Sequence, residues 1–260
     1  MVGDKGYPAY QGYLNDRCVT IAEALKLGGY RTLMSGKWHV GEDRPHWPTD
    51  RGFDKYFGLI SGGGNYFDLA KAKAKGVKRQ MAVDDQPYTP PKEGFYITDA
   101  FSDNAAKFID SCGRDDKPFF LYLPYTAPHW PLHEWPDDIA KYKGKYKDGW
   151  DKLRRDRHAR MIEMGIVSDK WKMSPRDTAA RLWADLETRI CWILRWRSTR
   201  RKSTAWITAS VKRSIRSGKS GPGTTRWFCS SPTTGAAPRA GLSVLTIAKM
   251  ACLRAESIPI

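Results

Sequence analysis

Cysteine is scarce in this chain, whose 260 residues include only five: Cys18, Cys112, Cys191, Cys229 and Cys252. Their number is odd, they are widely scattered, and no two of them form a CxxC pair. A disulfide framework or a structural zinc site needs cysteines in pairs at regular or short spacing. The sequence therefore predicts neither feature.

Long apolar runs are missing as well. No stretch approaches the roughly 20 consecutive apolar residues that a membrane-spanning helix needs. The first five residues, Met-Val-Gly-Asp-Lys, are not typical of a signal peptide. The composition, 41% hydrophobic and 28% charged, is that of an ordinary soluble protein. We therefore expect no membrane as a partner.

Acidic residues are nearly absent from the end of the chain. Residues 188–260 hold 14 Lys or Arg and one acid, Glu256, so they carry +13 of the net charge of +16. Residues 1–187 hold 30 bases and 27 acids. A strongly basic protein can bind nucleic acid or another polyanion. Because the excess charge lies in the tail alone, this alternative concerns residues 188–260, and we expect no nucleic-acid partner for the rest.

The first part of the chain begins with a helix and a strand. Thr20 and Glu23 have the spacing of a capping box, which predicts a helix that ends near Gly28. Residues 30–35 follow at once and predict a buried strand that ends at Gly36.

A second helix and strand follow further along. Residues 96–109 predict a helix with one apolar face, capped by Thr98 or Asp99. Residues 119–123 form a continuous apolar run, which is typical of a strand buried on both faces. The alternation predicts an α/β fold with a mostly parallel central sheet flanked by helices.

Two polar side chains of different chemistry follow the first strand. If the backbone stays extended beyond Gly36, Lys37 and His39 point to one side and Trp38 to the other. Ligands of such sheets bind beyond the carboxyl ends of the strands. An ammonium and an imidazole there suit a tetrahedral oxyanion, with Trp38 as the anchor opposite. An ordinary turn with an exposed lysine and a capping histidine is the alternative.

Three segments resemble motifs of one enzyme family. Residues 29–39 resemble the second sulfatase signature, Gly-Tyr-x-Thr-x-x-x-Gly-Lys-Trp-His. Residues 48–54 resemble the Pro-Thr-x-x-Gly-Phe-Asp segment that follows it, and residues 127–131 resemble the Ala-Pro-His-x-Pro loop of sulfatases. The resemblance to arylsulfatases covers approximately residues 12–186, and each motif is a hypothesis that its structural context must support.

The resemblance implies hydrolysis of sulfate esters by an alkaline-phosphatase-like sandwich, of which this chain would form a part. It implies that Lys37 supplies a fixed positive charge, that His39 hydrogen-bonds the nucleophile, and that His129 binds sulfate near the leaving group. Family members use a formylglycine nucleophile and a divalent cation, usually calcium (Ca²⁺). Expected substrates are small sulfate esters or sulfated polysaccharides, and a periplasmic or secreted parent enzyme is expected. A phosphatase or phosphonate hydrolase of the same superfamily is the alternative.

Parts of the family pattern are absent. No cysteine has Pro at the second and Arg at the fourth following position, the pattern in which formylglycine forms. The first strand with its paired metal-binding aspartates and the later Asp-Asn-Gly are missing too. We therefore expect an N-terminally truncated product, with residues 1–187 as a partial catalytic domain that has no appreciable activity by itself. A neighbouring reading frame can encode Asp-Asn-Gly from residues 229–237, which predicts a frameshift near residues 186–190 and a tail, 188–260, that is not a native domain.

The remaining histidines and glycines give weaker signals. His46, His133 and His158 have no motif around them, and we expect surface or packing roles. Residues 61–65, Ser-Gly-Gly-Gly-Asn, lack the spacing of a phosphate-binding loop. The basic run 71–79 is expected to lie on a solvated surface.

Overall fold

The computed structural model describes residues 5–8, 10–70, 79–112 and 117–186, together with the backbone of Trp227–Cys229. These residues fall into two compact units. One contains the described residues up to His133 together with the short segment at 227–229, and the other begins at Glu134. The boundary predicted at residue 187 stays a prediction, since most of the basic tail lies outside the described residues.

The first unit is built on one sheet. Its strands within the described residues are β1 (Arg31–Lys37), β2 (Lys55–Leu59), β3 (Met81–Val83), β4 (Gln86–Tyr88), β5 (Phe119–Tyr122) and β6 (Trp227–Cys229). The strand order is β4-β3-β2-β1-β5-β6. Strands β2, β1, β5 and β6 run parallel, whereas β3 and β4 form an antiparallel hairpin at one edge. The predicted α/β fold with a mostly parallel sheet is thereby confirmed.

Helices cover both faces of this sheet. They are α1 (Ile21–Leu27) and α2 (Ile97–Cys112). On one face, Met34 of β1 packs in a hydrophobic cluster with Ala22 of α1. On the other, the hydroxyl of Ser35 donates a 2.7 Å hydrogen bond to the carbonyl of Phe101 in α2. Because successive side chains of a strand point to opposite faces, α1 and α2 lie on opposite sides of β1.

The capping box of α1 forms as predicted. The Thr20 hydroxyl accepts a 3.0 Å hydrogen bond from the Glu23 amide, and the Glu23 carboxylate accepts a 2.7 Å bond from the Thr20 amide. Glu23 also receives a 2.9 Å bond from Nε of Arg51, a buried guanidinium. The pair ties the start of α1 to the loop that leads into β2.

Helix α2 differs from its prediction at both ends. It runs from Ile97 to Cys112, so Thr98 lies inside its first turn, buried, and does not cap it. The first turn is buried, and the Ile97 amide donates a 2.9 Å hydrogen bond to the Tyr66 carbonyl. A contact with a distant segment therefore takes the place of a local cap at the start of the helix. The predicted apolar face is confirmed, with Phe101 among its buried residues.

Strand β1 is longer than its sequence suggests. Gly36 does not end it, and the strand continues to Lys37 in register with β2. A Cβ on Gly36 would overlap the carbonyl oxygen of Pro124, and its φ of 151° is unfavourable for other residues. The glycine is needed because the chain leaving β5 approaches closely at this point.

The second unit is helical in its described part. It contains α3 (Pro136–Ala140) and α4 (Gly149–Glu163), followed by a short 3₁₀ helix at Trp183–Asp185. Gly149 has a φ of 82°, and the Trp183 indole packs directly against it. The ring of Trp183 also meets Trp150 edge to face at 5.2 Å. These contacts hold the 3₁₀ helix against the start of α4.

Candidate anion-binding site

Lys37 stands at the carboxyl end of the central strand. Its amide donates a 2.8 Å hydrogen bond to the Pro124 carbonyl, just beyond β5, so two parallel strands end beside it. Its side chain is buried, and no described residue hydrogen-bonds or ion-pairs with its ammonium. Burial lowers the pKa of Lys37, the charge of Arg79 lowers it further, and Glu42 opposes both. A buried ammonium without a described partner is what an incoming anion would satisfy.

Trp38 points to the opposite side, as alternation predicts. Its side chain is buried in the cluster that includes Met34 and Phe53, and it meets Phe53 edge to face at 6.2 Å. Its indole N–H donates a 2.8 Å hydrogen bond to the carbonyl of His46. The predicted anchor is therefore confirmed.

His39 departs from the extended conformation assumed for it. Its amide still donates to the Ile60 carbonyl at 2.9 Å, but its φ is 56°, in the left-handed region that residues other than glycine adopt uncommonly. Burial, followed by the charge of Lys37, lowers the pKa of His39 to about 4, with a contribution from Arg79. The Glu42 carboxylate lies 3.6 Å from Nε2, beyond hydrogen-bonding distance. At neutral pH this imidazole is uncharged.

His129 sits in the loop that follows β5. The hydroxyl of Tyr66 donates a 3.0 Å hydrogen bond to the His129 carbonyl, and the His129 amide donates to Thr126 at 2.9 Å. The ring nitrogen Nδ1 lies in a short contact with the carbonyl of Trp130. A carbonyl can only accept, so the geometry assigns a proton to Nδ1. The loop thereby fixes both the backbone and the tautomer of His129.

Two consecutive glycines bring the imidazoles together. A Cβ built on Gly62 would lie 3.1 Å from Cε1 of His39, and one built on Gly63 would lie 2.6 Å from Nδ1 of His129. The charge of His129 also acts on His39, so the two rings lie near each other beside this dipeptide. Lys37 belongs to the same group, since its charge acts on His39. The structure therefore brings all three residues predicted from the sequence together, while their chemical roles stay predictions.

Sequence reasoning missed four residues of this site. The segment 61–65 lacks the spacing of a phosphate-binding loop, yet Gly62 and Gly63 leave no room for a Cβ beside the two rings. Arg79 and Glu42 act electrostatically on Lys37. Three adjacent glycines after a buried strand were the available signal for close packing. Of the basic run 71–79, only Arg79 lies within the described residues, and it is half-buried.

The other histidines have packing roles, as predicted for them. His46 stacks on Tyr13 with ring centroids 3.8 Å apart. His133 packs edge to face against Tyr66 at 6.3 Å. In α4, His158 hydrogen-bonds to the Trp171 carbonyl at 2.8 Å.

The cofactors implied by the resemblance find no matching residues in the described part of the chain. No three His, Cys, Asp or Glu side chains there form a group that could hold a metal ion. Of the two described cysteines, Cys18 is exposed and donates to the Asn15 carbonyl at 3.2 Å, and Cys112 is buried at the end of α2. The residues described thus fit neither a calcium site nor a formylglycine.

No helix within the described ranges is both long and apolar enough to cross a bilayer.

Fold and site together define a class: an α/β protein with a mostly parallel sheet and a group of one lysine and two histidines beyond the carboxyl ends of its strands. The chain belongs to the sulfatase family, because the family model described as Sulfatase matches residues 2–190. It is 38% identical over 199 residues to an uncharacterized sulfatase of Schizosaccharomyces pombe, covering 70% of this chain and 34% of that protein. It is 33% identical over 166 residues to an arylsulfatase of Klebsiella aerogenes, covering 63% and 35%.

A solved structure supports the fold. This structure is described as one on the metabolism of multiple glycosaminoglycans by Bacteroides thetaiotaomicron. It matches the present chain with a TM-score of 0.51 at 15% sequence identity. The match covers 80% of this chain and 40% of the other. In length, the present chain spans about a third of the two curated relatives named above.

Proposed function

We propose that the sulfatase to which this segment belongs hydrolyses sulfate esters, and that this segment supplies the part of the active site that holds the sulfate group. The observation that carries the proposal is the buried ammonium of Lys37, which has no partner among the described residues and lies with two imidazoles. Burying an ion costs several kcal/mol unless an opposite charge compensates. A sulfate group would supply that charge.

Each of the three side chains has a distinct proposed role. Lys37 provides positive charge to a sulfate oxygen, as preorganised cations do where negative charge develops. His39, uncharged at neutral pH, acts as a hydrogen-bonding partner for the attacking group. His129 has its Nδ1 proton committed to the Trp130 carbonyl, so a second proton would go to Nε2. From Nε2 it can be donated to the leaving oxygen.

This chain by itself is proposed to lack appreciable sulfatase activity. Sulfatases generally depend on formylglycine and a metal, and the described residues fit neither. We therefore propose binding of the sulfate group without turnover. The substrate of the whole enzyme is proposed to be a small sulfate ester or a sulfated polysaccharide.

Titration calorimetry with inorganic sulfate tests the binding role. Lys37→Met should weaken sulfate binding by about tenfold or more, since charged hydrogen bonds contribute about 1.5–3 kcal/mol. Lys55→Met is the matched control, because this lysine is exposed and pairs with Asp84 at 2.9 Å. Equal loss in both variants would contradict the assignment. Tighter binding of phosphate or methylphosphonate than of sulfate would favour the phosphatase alternative.

Two further assays separate the remaining proposals. The purified chain should show no turnover of 4-nitrophenyl sulfate above buffer, and measurable turnover would refute the inactivity proposal. DNA binding that falls steeply with salt and needs only the basic tail would favour the polyanion alternative. A periplasmic or secreted location of the parent enzyme is proposed from the family alone, and cell fractionation tests it.

A further inference from the structure

The loop that follows β2 contains three consecutive glycines, Gly62, Gly63 and Gly64. A Cβ on the first would meet the ring of His39 at 3.1 Å, and one on the second would meet the ring of His129 at 2.6 Å. One on Gly64 would meet Cδ2 of Leu69 at 2.9 Å and Cγ of Arg79 at 3.4 Å. Each glycine therefore lies under a side chain that belongs to, or acts on, the anion-binding site.

Backbone conformation does not explain these glycines. Gly36 and Gly94 have φ angles of 151° and 69°, which disfavour any side chain, whereas none of the three loop glycines has a φ in that range. Their backbones are open to alanine. What excludes a methyl group is the space that the neighbouring side chains occupy.

The ring of His129 has little freedom to move away. Its carbonyl accepts from the Tyr66 hydroxyl, its amide donates to Thr126, and its Nδ1 contacts the Trp130 carbonyl. A methyl group 2.6 Å from Nδ1 must displace a ring whose backbone is held by two hydrogen bonds and whose Nδ1 already contacts a carbonyl. The neighbours of Gly64 are a methyl group of the buried Leu69 and the side chain of Arg79, so a methyl group there would displace neither imidazole ring.

We propose that Gly62 and Gly63 are positioning residues, which set the spacing of the His39 and His129 rings around the bound anion by allowing both rings to rest on the loop backbone. The proposal deepens the function proposed above and rests on it for the identity of the anion. It also ranks the loop by its effect on anion binding. Gly63, whose methyl group would come closest to a ring, is the most sensitive position, Gly62 is intermediate, and Gly64, which faces neither ring, is the least sensitive.

A double-mutant cycle on the full chain tests the proposal, with inorganic sulfate as the probe. Gly63→Ala should weaken sulfate binding by about tenfold, the equivalent of one misplaced charged hydrogen bond. In a His129→Ala background the same change should have no effect, because the ring it displaces is gone. The matched control is Gly28→Ala, where a Cβ would meet the Leu25 carbonyl at 3.3 Å far from the site. An equal loss with and without the His129 ring would overturn the proposal.

Two further readouts decide the remaining cases. If the wild-type chain does not bind sulfate, the proposed function fails, and the ring resonances of His129 in NMR spectra still test the positioning role. They should shift in Gly63→Ala and not in Gly28→Ala, and unchanged resonances would overturn it. If Gly63→Ala fails to fold, adding His129→Ala should restore folding, because the displaced ring is then absent. A double variant that also fails to fold would overturn the proposal.

Discussion

Replacing His39 by asparagine should make the protein less sensitive to acid. Asparagine does not titrate, and it tolerates the left-handed conformation that His39 adopts at φ 56°. The substitution therefore removes the titrating group without straining the loop that holds it.

The direction of the effect follows from the two states of the imidazole. In the unfolded chain this histidine takes up a proton near its ordinary pKa of 6.5. In the folded chain, burial and the charge of Lys37 lower its pKa to about 4. Between these values the unfolded state binds more protons, so the free energy of unfolding falls as the pH decreases from 6.5 to 4. Below pH 4 both states are protonated and the loss is complete.

The magnitude follows from the gap between the two pKa values. About 2.5 pH units correspond to roughly 3 kcal/mol, since each unit is about 1.4 kcal/mol. The ring is 29% exposed, and solvent screening reduces the expected loss to about 1–2 kcal/mol. Arg79 and His129 also face this ring, so a share of the effect depends on their charges.

Urea unfolding at pH 7 and pH 4.5 measures the loss directly. Wild-type protein should lose about 1–2 kcal/mol more than His39→Asn over this interval. The matched control is His158→Asn, which removes an imidazole of α4 and should keep the wild-type decline. An identical decline in wild-type and His39→Asn would refute the argument that burial depresses the pKa of His39.

Three other predictions concern the scaffold and the tail. Gly36→Ala should lower the free energy of unfolding by more than about 3 kcal/mol or prevent folding, because its methyl group would overlap Pro124. Gly94→Ala, at φ 69° with open space around it, should lower it by only about 1 kcal/mol. Equal losses in urea unfolding would contradict this. Glu23→Gln should cost about 1–3 kcal/mol by leaving the buried Arg51 without its charged partner. The hydrogen bond from Arg51 lowers the pKa of Glu23, so this stabilisation is present above the unfolded pKa and is lost as the pH falls through the folded one; a variant with unchanged stability and acid response would contradict the role given to the pair. The nucleotide sequence tests the frameshift: the neighbouring frame should stay open beyond residue 190 and encode Asp-Asn-Gly, and stop codons in it would exclude the idea.

Local patterns predicted the elements that local forces determine. The capping box at Thr20 forms because both partners lie within one turn, and the apolar run at 119–123 becomes a buried central strand because four successive large side chains can be covered on both faces. Alternation predicted the direction of Trp38, since β1 stays extended up to Lys37. These features need no information from distant parts of the chain.

The features that sequence reasoning missed depend on contacts between distant segments. Gly36 continues β1 because the chain near Pro124 approaches it, across more than eighty residues. Gly63 lies beside His129 across more than sixty residues, and Arg79 acts on Lys37 over about forty residues. His39, in its left-handed conformation, likewise hydrogen-bonds to Ile60 in the neighbouring segment. A single sequence gives the residue types at such positions but not which of them meet.

An anion bound between Lys37 and His39 should make the stability of the fold depend on pH in a further way. Lys37 and His39 both have lowered pKa values because burial disfavours their charged forms. A bound sulfate group reverses that preference for each of them, since a nearby negative charge stabilises ammonium and imidazolium alike. Sulfate should therefore raise both pKa values, and proton uptake should accompany binding. By linkage, the stabilisation of the fold by the anion should increase as the pH falls towards 4 and should level off below that, where His39 is protonated even without the anion.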